Sequence, residues 1–146
     1  MERASAMSSP AMRLVFDTNV LVSALLNPGR TPDLAVRAAR RAGSVALVDA
    51  RIEEEYRSVL ARPKFRAIDP ARRAALLDEI FATCERVTAT EVYAGALIDP
   101  DDRVFIEVAL AGGADALVTG NLKHYPSECP VAVISPAALL ARLTSA

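Results

Sequence analysis

The chain has one histidine, His124, and two cysteines, Cys84 and Cys129, too far apart for any metal-type spacing. That scarcity excludes a zinc ligand set and leaves the cysteines as reduced packing residues in a reducing compartment. Tryptophan is absent and aromatics make up 5% of the sequence, so Tyr56, Tyr93 and Tyr125 are too few to build a platform for stacking unpaired bases. Nowhere do 18 apolar residues run together, and the opening MERASAMSSPAM has no basic region followed by an apolar one. Neither a membrane span nor a secretory signal is indicated, and a cytoplasmic location is expected. The net charge of −1 excludes a generally basic protein that coats nucleic acid, while leaving room for a local basic rim.

What is present is an apolar chain of 146 residues, 52% hydrophobic, long enough to bury about two-thirds of its unfolded surface in one domain. Residues 1–11 are expected to form a disordered lead and 12–146 the domain. Apolar runs at 14–16, 44–48, 87–93, 116–119 and 131–134 alternate with helical patterns that begin near Val20, Ile52, Pro100 and Pro136. Val-rich runs without a polar face, separated by helices, predict a three-layer α/β/α sandwich around a central parallel sheet. Thr31-Pro32, Asp69-Pro70, Asp99-Pro100 and Ser135-Pro136 mark helix starts, and Gly43 marks a stop.

In such sheets ligands bind in the crevice at the carboxyl ends of the strands. The residues at those ends are acids and amides: Asp17 after the first strand, Asp49 after the second, DPDD (99–102) beyond the third, and Thr119-Gly120-Asn121 after the fourth. Asp17 suits an N-cap, yet a cap has no use for Asn19 two residues later, whereas a cation site does. Thr18 and Asn19 would then orient the carboxylate. Asp99 to Asp102 suit a cap and first helical turn. On a helical wheel, however, Arg103 and Glu107 fall about 100° and about 140° from Asp102, while buried-type Ala109 falls about 20° away. Asp102 thus belongs to the buried side, with Arg103 and Glu107 on the only wet face. In RIEEEYRSVLARP the stripe Ile52, Tyr56, Val59 and Leu60 excludes Glu54, and Glu53 and Glu55 flank it equally. Thr119 and Asn121 form either a turn or part of the crevice. Asp49 and Asp115 are assigned structural capping roles.

Carboxylates converging on one crevice repel each other unless a divalent cation lies among them. Oxygen-only ligands select Mg²⁺ or Mn²⁺, and the chemistry such ions support is phosphodiester hydrolysis. Cationic residues for gripping phosphates stand in Arg62, Lys64 and Arg66, in Arg37, Arg40 and Arg41, and in Lys123 with His124, the last two directly after the TGN turn. A receiver or haloacid-type phosphatase on a similar sheet would need a second acid near Asp17, where this chain has Asn19.

Together, VFDTNVLVSALL, EEEYRSVLARPKF, DPDDRVFIEVAL and ADALVTGNLKHYP, in this order over residues 13 to about 140, resemble the PIN-domain family. The resemblance is to its branch of toxin components of bacterial toxin–antitoxin systems, related to VapC-type ribonucleases. It implies Mg²⁺- or Mn²⁺-dependent cleavage of RNA, with Asp17, Glu55 and Asp102 as the catalytic, metal-holding acids. It thereby selects Glu55 over Glu53. It implies orienting roles for Thr18, Asn19 and Thr119, and an antitoxin partner. Where many members carry a fourth aspartate, this chain has Asn121, which offers a carbonyl oxygen to a metal and no charge. That substitution motivates an alternative: a PIN-fold protein of weak catalysis that acts mainly by binding RNA or protein. Lys123 and His124 are the expected phosphate contacts. The apolar helices LVSALL and AALLARL suggest a homodimer, and suit ordinary core equally well.

Overall fold

Leu14, Val15 and Phe16 are buried because their strand, β1 (Arg13–Phe16), lies at the centre of a parallel sheet and is covered on both faces. The computed structural model describes residues 11–144, so nearly all of the expected lead lies outside the described residues. The chain continues through α1 (Thr18–Leu26), α2 (Thr31–Arg41), β2 (Val45–Val48), α3 (Ala50–Leu60), α4 (Pro70–Thr83) and β3 (Glu85–Arg86). It closes with α5 (Arg103–Gly112), β4 (Ala116–Val118), β5 (Val133–Ile134) and α6 (Pro136–Thr144).

The strand order is β3-β2-β1-β4-β5 with every pairing parallel, the α/β/α sandwich that the alternation predicts. The crossover from β1 to β2 through α1 and α2 and the return from β3 to β4 through α5 run in opposite directions. Right-handed crossovers then place them on opposite faces. Helix α5 packs across β1, β2 and β4, while α2 packs against α1 and α6. Consequently Leu21 and Leu25 of α1 and Leu139 and Leu143 of α6 are core residues of the chain itself.

Most expected boundaries match within a residue or two. Asp49 caps α3 by accepting from the Ile52 N–H at 2.9 Å, Asp69 caps α4 and Ser135 caps α6. Gly43 ends the turn after α2 at φ 76°, where a side chain would be strained. Thr31, expected as a cap, is instead the first residue of α2, whose capping position is Arg30 with no side-chain bond. Asp33 serves that end by accepting from the Gly29 N–H at 2.8 Å.

Two expectations are overturned. The expected strand over 87–93 is absent: β3 is the pair Glu85–Arg86, and residues 87–99 are irregular. The cause lies in the neighbouring strand. After Leu47 and Val48 pair with β3, Asp49 turns the chain into α3, and the Val87 N–H takes the Val48 carbonyl as the last available acceptor. With no further ladder, the valine alternation has nothing to pair with, and Val92 stays 77% exposed. Glu107, expected on a wet face of α5, is 5% exposed. That same irregular segment covers it: Glu107 accepts from the Tyr93 N–H at 2.8 Å and pairs with Arg51 at 2.7 Å, and Arg103 donates to the Tyr93 carbonyl.

Tyr56 ties α3 to the sheet, its hydroxyl donating to the Phe16 carbonyl at 2.5 Å in a fully buried contact. Tyr56→Phe removes the donor and leaves a buried carbonyl without it, so the substitution should cost about 1–3 kcal/mol in urea unfolding. An unchanged midpoint would show that the contact contributes nothing to stability.

Candidate active site

The order in which strands are added reverses at β1, which has β2 on one side and β4 on the other, and a crevice opens there between the carboxyl ends of β1 and β4. The register pairs Phe16 with Val118, so the next residue of each strand, Asp17 and Thr119, stands side by side at the crevice. The Asp17 N–H donates to the Val118 carbonyl at 2.9 Å, and the Thr119 N–H donates to Ile134 at 3.0 Å.

Asp17 is both a cap and a buried carboxylate, because its two oxygens divide the work. Oδ1 accepts from the Asn19 backbone N–H at 3.2 Å and caps α1. Oδ2 accepts from the Thr119 hydroxyl at 3.1 Å and the Tyr125 hydroxyl at 2.9 Å, in a residue only 5% exposed. The direction of these bonds follows from the donors nearby. The Thr119 oxygen already receives the Asn121 N–H at 3.0 Å and the Asn19 side-chain amide at 3.3 Å, so its one hydrogen goes to Asp17. Asn19 cannot be turned the other way, since its carbonyl oxygen accepts the Gly120 N–H at 2.9 Å. Thr119 thus holds Asp17 directly, and Asn19 holds it through its backbone N–H and steadies Thr119 with its side chain. Tyr125 is a brace that sequence reasoning missed, having weighed the tyrosines only for stacking.

Asp102 is carried in by the turn Pro100–Asp102 at the start of α5 and is 7% exposed. Asp99 supplies the side-chain cap there, accepting from the Asp101 N–H at 3.0 Å, and Asp102 makes no cap bond. Capping therefore does not explain Asp102. Its Oδ2 is a buried oxygen with no hydrogen-bond partner among the described residues. The His124 imidazole faces it, with Nδ1 at 3.6 Å, beyond hydrogen-bond length. Glu55 stands on α3 beside Tyr56, half-buried, with the Thr18 hydroxyl at 3.5 Å from Oε2. Glu53 instead faces away into ion pairs with Arg57 and Arg86. Asn121 and Lys123 are exposed on the turn after β4, and His124 is half-exposed.

The acids sense one another. Burial raises the Asp102 carboxyl to about 7, and the charges of Asp17, Asp99, Asp101 and Glu55 add to the effect. Burial also lifts Glu55, helped by Asp101 and Asp17 and opposed by Arg62 and Thr18. For Asp17 burial again pushes upward, and the Asn19 N–H, the two hydroxyls and His124 pull the other way. Burial, and then the Asp17 charge, hold the Tyr125 hydroxyl far above its ordinary range, so it remains a donor. The arrangement is an acidic crevice of oxygen donors with the Arg62 guanidinium and the His124 imidazole nearby. Among the described residues no three His, Cys, Asp or Glu side chains stand close enough to hold a metal as placed. No helix among them is long and apolar enough to cross a membrane, and both cysteines are free.

A family model described as the PIN domain matches residues 13–123. No curated protein sequence matches. Among solved structures, a chain of VapBC2 from Rickettsia felis, crystallised bound to a DNA fragment from their promoter, is similar in fold with a TM-score of 0.56. The identity is 17%, and the alignment covers 85% of this chain and 98% of that one. Running from the first residue of β1 past the Thr119 turn, the family match spans most of the elements that build the crevice, and the chain belongs to the PIN domain family.

Proposed function

We propose that the protein is an endoribonuclease that uses Mg²⁺ or Mn²⁺, and that it is the toxin of a toxin–antitoxin pair acting in the cytoplasm. The observation that carries this is Asp102: a buried carboxylate oxygen without a hydrogen-bond partner among the described residues, beside other acids whose charges oppose its ionisation. A hard divalent cation satisfies the oxygen and neutralises the cluster, and the donors available are all oxygen. Asp17, Glu55 and Asp102 would hold it, with Asn121 adding a carbonyl oxygen, and closing the set requires side-chain movement. When bound, the ion supplies Lewis-acid activation of water and phosphate oxygen. Thr18 steadies Glu55, while Asn19 and Thr119 steady Asp17. Lys123 and His124, on the turn at the crevice, contact the phosphates of the RNA strand. The VapBC2 assembly among the fold neighbours and the family resemblance support an antitoxin partner. The proposed homodimer would need surfaces other than the buried faces of α1 and α6.

A second reading has its own observation. Asn121 is exposed and uncharged, and the acids are not closed into a coordination sphere. This favours a PIN-fold protein that binds RNA or protein and cleaves weakly. One assay separates the two. Purified protein should cut mixed RNAs with Mn²⁺ or Mg²⁺ and not with chelator, and Asp17→Asn and Asp102→Asn should each lose at least about 100-fold, the upper end of what a residue one step removed from a metal costs. Variants that cut as fast as the parent would assign the cleavage to another site. RNA retained on a filter but left intact would select the binding protein.

Phosphate contact predicts a different signature for Lys123→Ala: KM for RNA should rise several-fold and depend less on salt, with kcat little changed. A fall in kcat alone would remove Lys123 from the RNA path.

The raised Asp102 carboxyl links stability to pH. The folded state holds that proton more tightly than the unfolded chain, so the stabilisation is full below the ordinary value of 3.8, declines as pH rises, and is gone above about 7. In chelator, Asp102→Asn should therefore stabilise the protein by roughly 1–3 kcal/mol at pH 8 and by little at pH 4. Excess Mn²⁺ should raise the parent's Tm at pH 8 and the variant's far less. Equal stability of the two proteins at pH 8 would contradict the buried-charge account.

A further inference from the structure

Tyr125 lies outside the acidic set and outside the phosphate-contact pair, and it is buried. Its hydroxyl donates to Asp17 Oδ2 at 2.9 Å, and the Thr119 hydroxyl donates to the same oxygen at 3.1 Å. A carboxylate oxygen accepts about two strong hydrogen bonds, so Oδ2 is saturated. Oδ1 accepts only the Asn19 N–H among the described residues, and at the longer distance of 3.2 Å. Asp17 is therefore asymmetric, with one oxygen closed and the other open. Rotation about the side chain would break both hydroxyl bonds and bury the two hydroxyls unpaired, a loss large enough to keep the carboxylate in one orientation. The position of Tyr125 is itself set by the turn Leu122–His124, whose His124 faces Asp102, so one short segment braces Asp17 and places an imidazole beside the second acid.

We propose that Tyr125 is a positioning residue: with Thr119 it closes Oδ2 of Asp17, so that Asp17 meets a divalent cation through Oδ1 alone. The inference rests on the metal reading above and adds to it the atom that binds and the residue that selects it. The tyrosine touches neither substrate nor ion. Its contribution is to hold the charge still, which spares the site the cost of orienting a carboxylate each time an ion enters.

The test is Mn²⁺ titration of the full chain, following heat of binding and the Mn²⁺-dependent rise of Tm above each protein's own chelated baseline. Tyr125→Phe keeps the ring and removes the hydroxyl, and its apparent Mn²⁺ affinity should fall about 10-fold. Thr119→Val should weaken binding similarly, and Thr119→Ser, which keeps the hydroxyl, should restore it to near the parent's. A Tyr125→Phe protein that binds Mn²⁺ like the parent, whatever its chelated Tm, overturns the positioning role while leaving the metal reading intact. A parent that takes up no Mn²⁺ overturns both. Should Tyr125→Phe fail to fold, the contrast between Thr119→Val and Thr119→Ser decides alone, and equal affinities of those two overturn the proposal.

Discussion

The structure of the crevice depends on one buried oxygen, Oδ2 of Asp17, and on the two hydroxyls that donate to it. A carboxylate at 5% exposure would ordinarily lose its charge to the cost of desolvation. Burial does lift the Asp17 carboxyl, and what opposes the lift is local and geometric: the backbone N–H of Asn19, the Tyr125 and Thr119 hydroxyls, and the facing His124. Those donors come from the start of α1 and from the turn after β4. They meet because β1 and β4 are neighbours in register, which makes the parallel pairing of Phe16 with Val118 the constraint beneath the site.

The remaining acids arrive on rigid elements for reasons unrelated to chemistry. Glu55 is held at the crevice because the next residue, Tyr56, is bonded to the end of β1, so the placement of α3 also places its glutamate. Asp102 is buried because α5 crosses the sheet and must bring its first turn inside with it. Asp99 takes over the capping that Asp102 would otherwise supply. The result is an acid relieved of structural duty and left with an oxygen that has no hydrogen-bond partner among the described residues. An acid so placed costs stability in the absence of a cation, which is the pattern expected where local strain serves function.

On the opposite flank the same economy of polar groups explains the irregular segment 87–99. It cannot extend the sheet past Val48, so its backbone finds partners on helix α5 instead, with Glu107 accepting one N–H and Arg103 satisfying one carbonyl of Tyr93. Arg51 completes the arrangement from α3, linking the capping Asp49 to Glu107. A glutamate read as surface is thus the polar core of a loop anchor.

Much was legible in the sequence because it follows from local chemistry. The alternation of Val-rich runs with helices dictates a covered parallel sheet, and residues such as Asp49, Asp69 and Ser135 dictate where helices begin, since a cap needs only its own next turn. Asp17 and Asp102 were readable as candidates because a carboxylate within an apolar pattern is costly wherever it occurs. Only tertiary structure decided the rest. The length of β3 was set by a turn in another strand, the burial of Glu107 by a segment with no regular pattern, and the role of Tyr125 by a contact spanning 108 residues of sequence. Periodicity reports which side of an element is apolar, and it carries no information about which distant donor will face a given oxygen.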